Sequence, residues 1–197
     1  MIRCVVFDLG QVMSSPPGLY TEPARLLGVD PAAYEARYWQ GRVEYDRGGT
    51  DPSYWTPLLT DLGRPAPPET VRMLAQLDAQ MWVEGVRPTA LDLLRQVRAA
   101  GRLVAVLSNA PFALDIALAD APYADAADYW FVSASMGITK PDPAVYYRVE
   151  EVTELEPSEL AFIDDRPANV HAARQASRNA HLFVDDADTR AWLREIG

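Results

Sequence analysis

Two short apolar runs in this chain end abruptly in acid: Val5-Val6-Phe7 leads into Asp8, and Ala161-Phe162-Ile163 leads into the pair Asp164-Asp165. Runs of β-branched and aromatic residues without alternation suit strands covered on both faces of a parallel sheet, and ligands bind beyond the carboxyl ends of such strands. Three carboxylates brought to one place repel one another unless a cation lies among them, and hard oxygen ligands around a partly hydrated ion are what magnesium takes. Magnesium in turn implies phosphate. A third run, Leu103 to Leu107, ends in Ser108-Asn109. Hydroxyl, amide and backbone N–H groups at a helix N-terminus donate to phosphoryl oxygens, although the same dipeptide alone reads as an N-cap. Lys140, in Gly137-Ile138-Thr139-Lys140, is the one lysine among 18 basic residues. A compact ammonium fits between a carboxylate and a phosphoryl oxygen where a planar guanidinium does not.

These residues need a scaffold, and the pattern from Pro88 onward supplies one. Leu91, Leu94 and Val97 mark a helix stopped by Gly101, and strands follow at Leu103 to Leu107, Tyr129 to Val132, Leu160 to Ile163 and His181 to Val184. The helices between them start near Pro111, Pro143 and Pro167, where proline's missing amide costs nothing. With the first strand, this alternation predicts an α/β fold: a doubly wound, Rossmann-like parallel sheet of about five strands with right-handed crossovers.

From about Ser14 to Arg87 the strand pattern stops. Asp30-Pro31, Asp51-Pro52 and the segment from Pro68 to Trp82, with Val71, Leu74 and Leu77 in a stripe, predict helices. The expected organisation is a core of residues 1–13 and 88–197 with a helical cap of residues 14–87 inserted after the first strand. The cap's aromatics, Tyr34, Tyr38, Trp39, Tyr45, Tyr54 and Trp55, read mostly as its own small core, with some left to line a pocket for a sugar face.

A chain of 197 residues suffices for one such domain with an insertion, and its net charge of −10 argues against nucleic acid or an anionic membrane as the partner. The apolar stretch from Cys4 to Phe7 is too short for a signal segment or a membrane span, so a cytoplasmic location is expected. Cys4, the only cysteine, reads as a buried inert thiol, and His171 and His181 as structural. No oligomeric state follows from these features.

Taken in order, the motifs resemble those of the haloacid dehalogenase-like hydrolase superfamily over essentially the whole chain. Its first motif, an apolar strand followed by Asp-x-Asp-x-Thr or Val, is matched by Phe7-Asp8-Leu9-Gly10-Gln11-Val12; its second, a strand ending in Ser or Thr, by Val106-Leu107-Ser108-Asn109. Lys140 fits the third motif and Phe162-Ile163-Asp164-Asp165 the fourth. The resemblance implies Asp8 as a nucleophile that forms an aspartyl-phosphate, with Ser108 and Lys140 catalytic and Ser108, Asn109 and Lys140 holding the substrate's phosphate. It implies a Mg2+ cofactor bound by Asp8, the backbone carbonyl of Gly10, Asp165 and, directly or through water, Asp164, with Asn169 bonded to the metal's water. The alternative for the acidic pair is N-capping ahead of Pro167. The inserted helices resemble the family's cap, and the substrate is a small phosphorylated metabolite.

The chain departs from the family at Gly10, where the pattern has a second aspartate that protonates the leaving oxygen and later activates water. Glycine keeps the carbonyl and loses the acid, which is worth about 10² to 10⁴ in rate. Sequences similar to the glucose-1-phosphatase type carry Asp-Leu-Gly-Asn-Val here, which points to a sugar phosphate. A missing acid favours esters of acidic hydroxyls, sugar 1-phosphates over 6-phosphates. Two alternatives remain: a phosphate-binding protein with weak or lost catalysis owing to Gly10, and a 2-haloacid dehalogenase, against which stand the added carboxylates Asp164 and Asp165.

Overall fold

All four residues of β1 (Cys4–Phe7) are buried because this strand runs through the middle of a five-stranded parallel sheet. The computed structural model describes residues 1–176 and 178–197. Its other strands are β2 (Leu103–Ser108), β3 (Tyr129–Val132), β4 (Leu160–Asp164) and β5 (Asn179–Leu182), in the order β3-β2-β1-β4-β5. The fold is the expected α/β, doubly wound, Rossmann-like one. The chain steps from β1 to β2 and β3 on one side and returns to β4 and β5 on the other, so a crevice opens beyond the carboxyl end of β1. Register makes that crevice a meeting point. Phe7 is level with Val106 and with Ile163, so Asp8 and Asp164 leave the sheet together and Ser108 lies one residue further along β2.

Helices cover both faces. Val5 and Phe7 pack toward α6 (Pro88–Ala99), α7 (Phe112–Ala119) and α11 (Asp186–Glu195), while Cys4 and Val6 pack toward α9 (Pro143–Thr153) and α10 (Pro167–Gln175). Burial pushes the Cys4 thiol up to about 12, as suits an inert side chain. A short helix, α8 (Ser133–Met136), follows β3 directly. No helix among the described residues is long and apolar enough to cross a membrane.

Between β1 and α6 the chain forms α1 (Thr21–Leu27), α2 (Pro31–Tyr38), α3 (Arg42–Asp46), α4 (Asp51–Asp61) and α5 (Pro68–Glu84). Asp30 caps α2 by accepting from the Ala33 amide, as its place before proline predicts. The helices α1, α3 and α8 are too short to show a hydrophobic period, and the sequence pattern does not predict them. Tyr34, Tyr38, Tyr45, Tyr54 and Trp55 are buried together, with Tyr45 and Tyr54 stacked at 4.3 Å, whereas Trp39 stays exposed. Two details differ from expectation. The buried stripe of α5 is Val71, Leu74, Ala75, Asp78, Ala79, Trp82 and Val83, with Leu77 off to one side. The last strand starts at Asn179 and ends at Leu182 because its partner β4 ends at Asp164; Val184 lies beyond the pairing and is exposed.

Arg87, at the start of α6, ties the segment after β1 to the end of the chain. Its guanidinium donates to the Val12 carbonyl and forks onto Asp186 at 2.8 and 2.9 Å, and its backbone N–H donates to the Met13 carbonyl. Hydrogen bonds from Arg87 hold the Asp186 carboxyl below the ordinary range, against the opposing effect of partial burial. A carboxylate depressed in the folded state stabilises above its unfolded pKa and loses that contribution as pH falls. Asp186→Ala should therefore cost roughly 1–2 kcal/mol at neutral pH. In urea melts, that gap from wild type should close below about pH 4.

Candidate active site

Asp8 sits where β1 ends, with the Leu9 amide and Lys140 Nζ both donating to its Oδ1 at 2.7 Å. Among the described residues no protein donor reaches its Oδ2. The next residues turn sharply: Gln11 takes a left-handed φ of 59° and its amide donates to the Ser14 carbonyl. Ser14 in turn bridges to Gly10 and Val86, and its hydroxyl donates to the Trp82 carbonyl at 2.6 Å. The turn thus places Gly10 and Gln11 in the wall of a cavity of about 210 Å³, together with Asp8, Ser108, Lys140 and Asp165.

Lys140 is delivered by the loop between α8 and α9, and its side chain is almost wholly buried. Its three ammonium protons meet three acceptors: Asp8 Oδ1 at 2.7 Å, the Leu107 carbonyl at 2.7 Å and Asp164 Oδ2 at 2.8 Å. Burial works against the ammonium charge, but Asp8 and Asp164 outweigh it and the Lys140 pKa lies above the ordinary lysine value. With its three donors engaged, the lysine acts on this site as a fixed charge. Both ends of the Asn109 amide pair with the Lys140 backbone at 2.8 and 2.9 Å, so this side chain holds the lysine loop in place. Ser108 Oγ, by contrast, has no protein partner among the described residues and faces the cavity.

Asp164 is fully buried. Its oxygens accept from Lys140, from the Asn169 amide, which reaches both of them at 2.9 and 3.0 Å, and from the Arg166 backbone N–H at 2.8 Å. The last of these closes a short turn ahead of α10; that helix is capped at Arg166 with no side-chain cap bond among the described residues, so the N-capping expected as the alternative for the acidic pair is not what the structure shows. Asp165 is half-buried in the cavity wall. Asp8, Asp164 and Asp165 each offer an oxygen within 4.8 Å of the others. Burial pushes the Asp8 carboxyl up to about 7, with repulsion from Asp164 and Asp165 adding and Lys140 opposing. Burial and the Asp164 charge likewise raise Asp165. An oxygen-only donor set with this much unrelieved repulsion fits a hard divalent cation such as magnesium.

Past the sheet, the cavity wall belongs to the insertion: Trp39, Arg42, Val43, Asp46 and Trp82. Arg42 is buried and donates to Asp46 at 2.8 Å, to Asp78 at 3.1 Å and to Tyr38 Oη at 2.6 Å, while Tyr38 donates to Asp78 at 2.7 Å. Sequence reasoning does not find this group. An arginine and an aspartate four apart look like any exposed helix pair, and nothing local says that Asp78 meets them from α5. His181 pairs with Asp188 and stacks on Trp192, and neither histidine lines the cavity.

The profile of the haloacid dehalogenase-like hydrolases matches residues 12–177. The chain belongs to this family. It is 24% identical over 216 residues to the rat bifunctional epoxide hydrolase 2, an alignment that takes in 99% of this chain and 38% of that protein. The chain thus spans well under half the length of that relative. Among solved structures, an enzyme of the family from Bacteroides thetaiotaomicron, in complex with magnesium and inorganic phosphate, superposes with a TM-score of 0.72 at 18% identity, covering 92% of this chain and 94% of that one. The L-2-haloacid dehalogenase from Xanthobacter autotrophicus, with chloropropionic acid covalently bound, gives 0.74 at 21% identity over 96% of this chain and 82% of that one. At these identities the likeness establishes a shared fold.

If the carboxylates hold a cation, magnesium should raise thermal stability, by about 2.7 kcal/mol at a hundred times Kd. Asp165→Asn should abolish most of that rise in a thermal melt while raising the metal-free melting temperature slightly, because it removes one of the repelling charges.

Proposed function

We propose that this protein is a magnesium-dependent phosphomonoesterase that passes the phosphoryl group of a small ester first to Asp8 and then to water. The observation that carries the reading is the meeting of three carboxylates and a buried ammonium at the ends of β1 and β4, beside the Ser108 hydroxyl at the end of β2, which has no protein partner among the described residues. A carboxylate and a phosphate dianion repel each other, and magnesium held by Asp8 and Asp165, with the charge of the protein-bonded Asp164 behind them, would relieve that repulsion and draw charge from the phosphoryl oxygens. Asp8 is oriented for attack because its Oδ1 is fixed by Lys140 and Leu9 while Oδ2 is open. Ser108 Oγ donates to a transferring oxygen, and Lys140 supplies positive charge without needing a free N–H. The Gly10 carbonyl is the one group at that position able to serve as a further metal ligand. The organic part of the ester rests under the insertion, which acts as a cap; the cavity volume limits it to a small molecule, and Trp39 and Trp82 offer faces suited to a sugar ring.

Attack by Asp8 on carbon is the second reading, favoured by the one feature that phosphoryl transfer would not choose: halide departure needs no acid at position 10. The added carboxylates weigh against it, since attack on an uncharged carbon gains nothing from them.

Hydrolysis of sugar and aryl phosphates should require magnesium, stop in excess chelator, and disappear in Asp8→Asn. Lys140→Arg should not recover the activity lost in Lys140→Ala, because a planar fork cannot reach the same three acceptors. Phosphate release and chloride release from a 2-chloro acid, measured side by side, separate the readings: faster chloride release would reverse the assignment.

A further inference from the structure

Gly10 brings no acid to the leaving oxygen, yet the backbone leaves space for one: a Cβ built there meets nothing nearer than the Trp82 ring at 3.8 Å. Another wall of the same cavity carries a carboxyl. Asp46, the last residue of α3, is buried and its Oδ1 accepts from Arg42 Nε at 2.8 Å. Its Oδ2 has no protein partner among the described residues. Arg42 does not need this carboxylate for neutrality, because Asp78, itself bonded to Tyr38, already pairs with the guanidinium. Two buried carboxylates therefore share one cation, and the surplus charge falls on the acid that faces the cavity. The backbone is anchored beside the phosphate end: Ser133 Oγ donates to the Asp46 carbonyl and accepts from the Ala110 amide, two residues after Ser108.

From this arrangement we propose that Asp46, reaching the leaving group from the insertion, is the general acid and base of the hydrolysis, replacing the carboxyl absent at Gly10. The inference rests on the phosphomonoesterase reading. Burial lifts the Asp46 carboxyl to about 6 against the pull of Arg42 and Arg166, with Asp78 adding to the rise, so the group can hold a proton near neutral pH. In the first half-reaction Asp8 forms a bond to phosphorus, the ester P–O bond breaks, and its electron pair stays on the leaving oxygen, which takes the proton of Asp46. The alcohol departs and Asp46 is left ionised. In the second, Asp46 takes a proton from water as the water oxygen bonds to phosphorus and the bond from phosphorus to the Asp8 oxygen breaks, its electron pair returning to the carboxylate; inorganic phosphate leaves, and Asp8 and Asp46 are back in their starting forms.

The test is kcat/KM, which reports the steps through aspartyl-phosphate formation, across alkyl and aryl phosphates whose alcohols differ in acidity. A proton donor makes the wild-type dependence on leaving-group acidity shallow, the opposite of the steep dependence expected from Gly10 alone. Asp46→Asn should lower kcat/KM for an alkyl phosphate by about 10² to 10⁴ and for the ester of a strongly acidic phenol by less than about tenfold. The ratio of the two, taken on one preparation, does not depend on how much of the variant folds. A steep wild-type dependence, or an equal loss on both esters, overturns the proposal. A wild-type protein that hydrolyses none of the esters overturns the phosphomonoesterase reading itself.

Discussion

A buried ammonium shared by two carboxylates is the contact around which this molecule is arranged. Lys140 lies between Asp8 and Asp164 with its remaining proton on the Leu107 carbonyl, so one side chain touches β1, the end of β2 and β4. Removing one partner from such a buried group costs about 3–5 kcal/mol, because the charges left behind have no water to turn to. The demand propagates outward. Asn109 grips the lysine backbone, Asn169 and the Arg166 amide occupy what Lys140 leaves of Asp164, and β1 and β4 must keep the register that brings their acids level. The pair still does not balance the site, since Asp165 and the raised Asp8 leave negative charge unmatched.

The insertion contributes a second, separate charge group. Arg42 gathers Asp46, Asp78 and Tyr38 from three helices, and Trp82 donates to the same tyrosine hydroxyl at 3.2 Å. Buried aromatic packing alone gives such a small helical unit its core; the ionic group fixes how its helices face the sheet. Ser133 and Arg87 then join it to the core at two places, one beside β2 and one beside the turn after Asp8. Positioning of reacting groups to well under an ångström is what such cross-bracing supplies.

Much of this was legible in the residues. Strands buried on both faces write themselves as unbroken apolar runs, and prolines at a first helical position mark helix starts, so β1 to β4 and the helices α2, α4, α9 and α10 fall where the pattern puts them. The acids stood out because a charge placed at the end of a buried apolar run must be paired there or put to use, and Lys140 because it is the one lysine among 18 basic residues. What was hidden is whatever tertiary contact decides. Asp78 sits within a buried stripe that composition alone would assign to leucine, and α3 is too short to carry a period. The Asn109 side chain, expected on the phosphate, braces a loop that lies 31 residues away in sequence. Only the fold tells Asp46 apart from a solvated helix end.

The central claim is that Asp8 carries the phosphoryl group covalently. Rapid acid quenching of a turnover with a small phosphate ester and magnesium, followed by borohydride reduction and peptide mass analysis, reads this directly, since an aspartyl-phosphate is reduced to homoserine. The account predicts homoserine at position 8, dependent on both magnesium and ester. Turnover that leaves Asp8 unmodified, or marks another residue in its place, would contradict it.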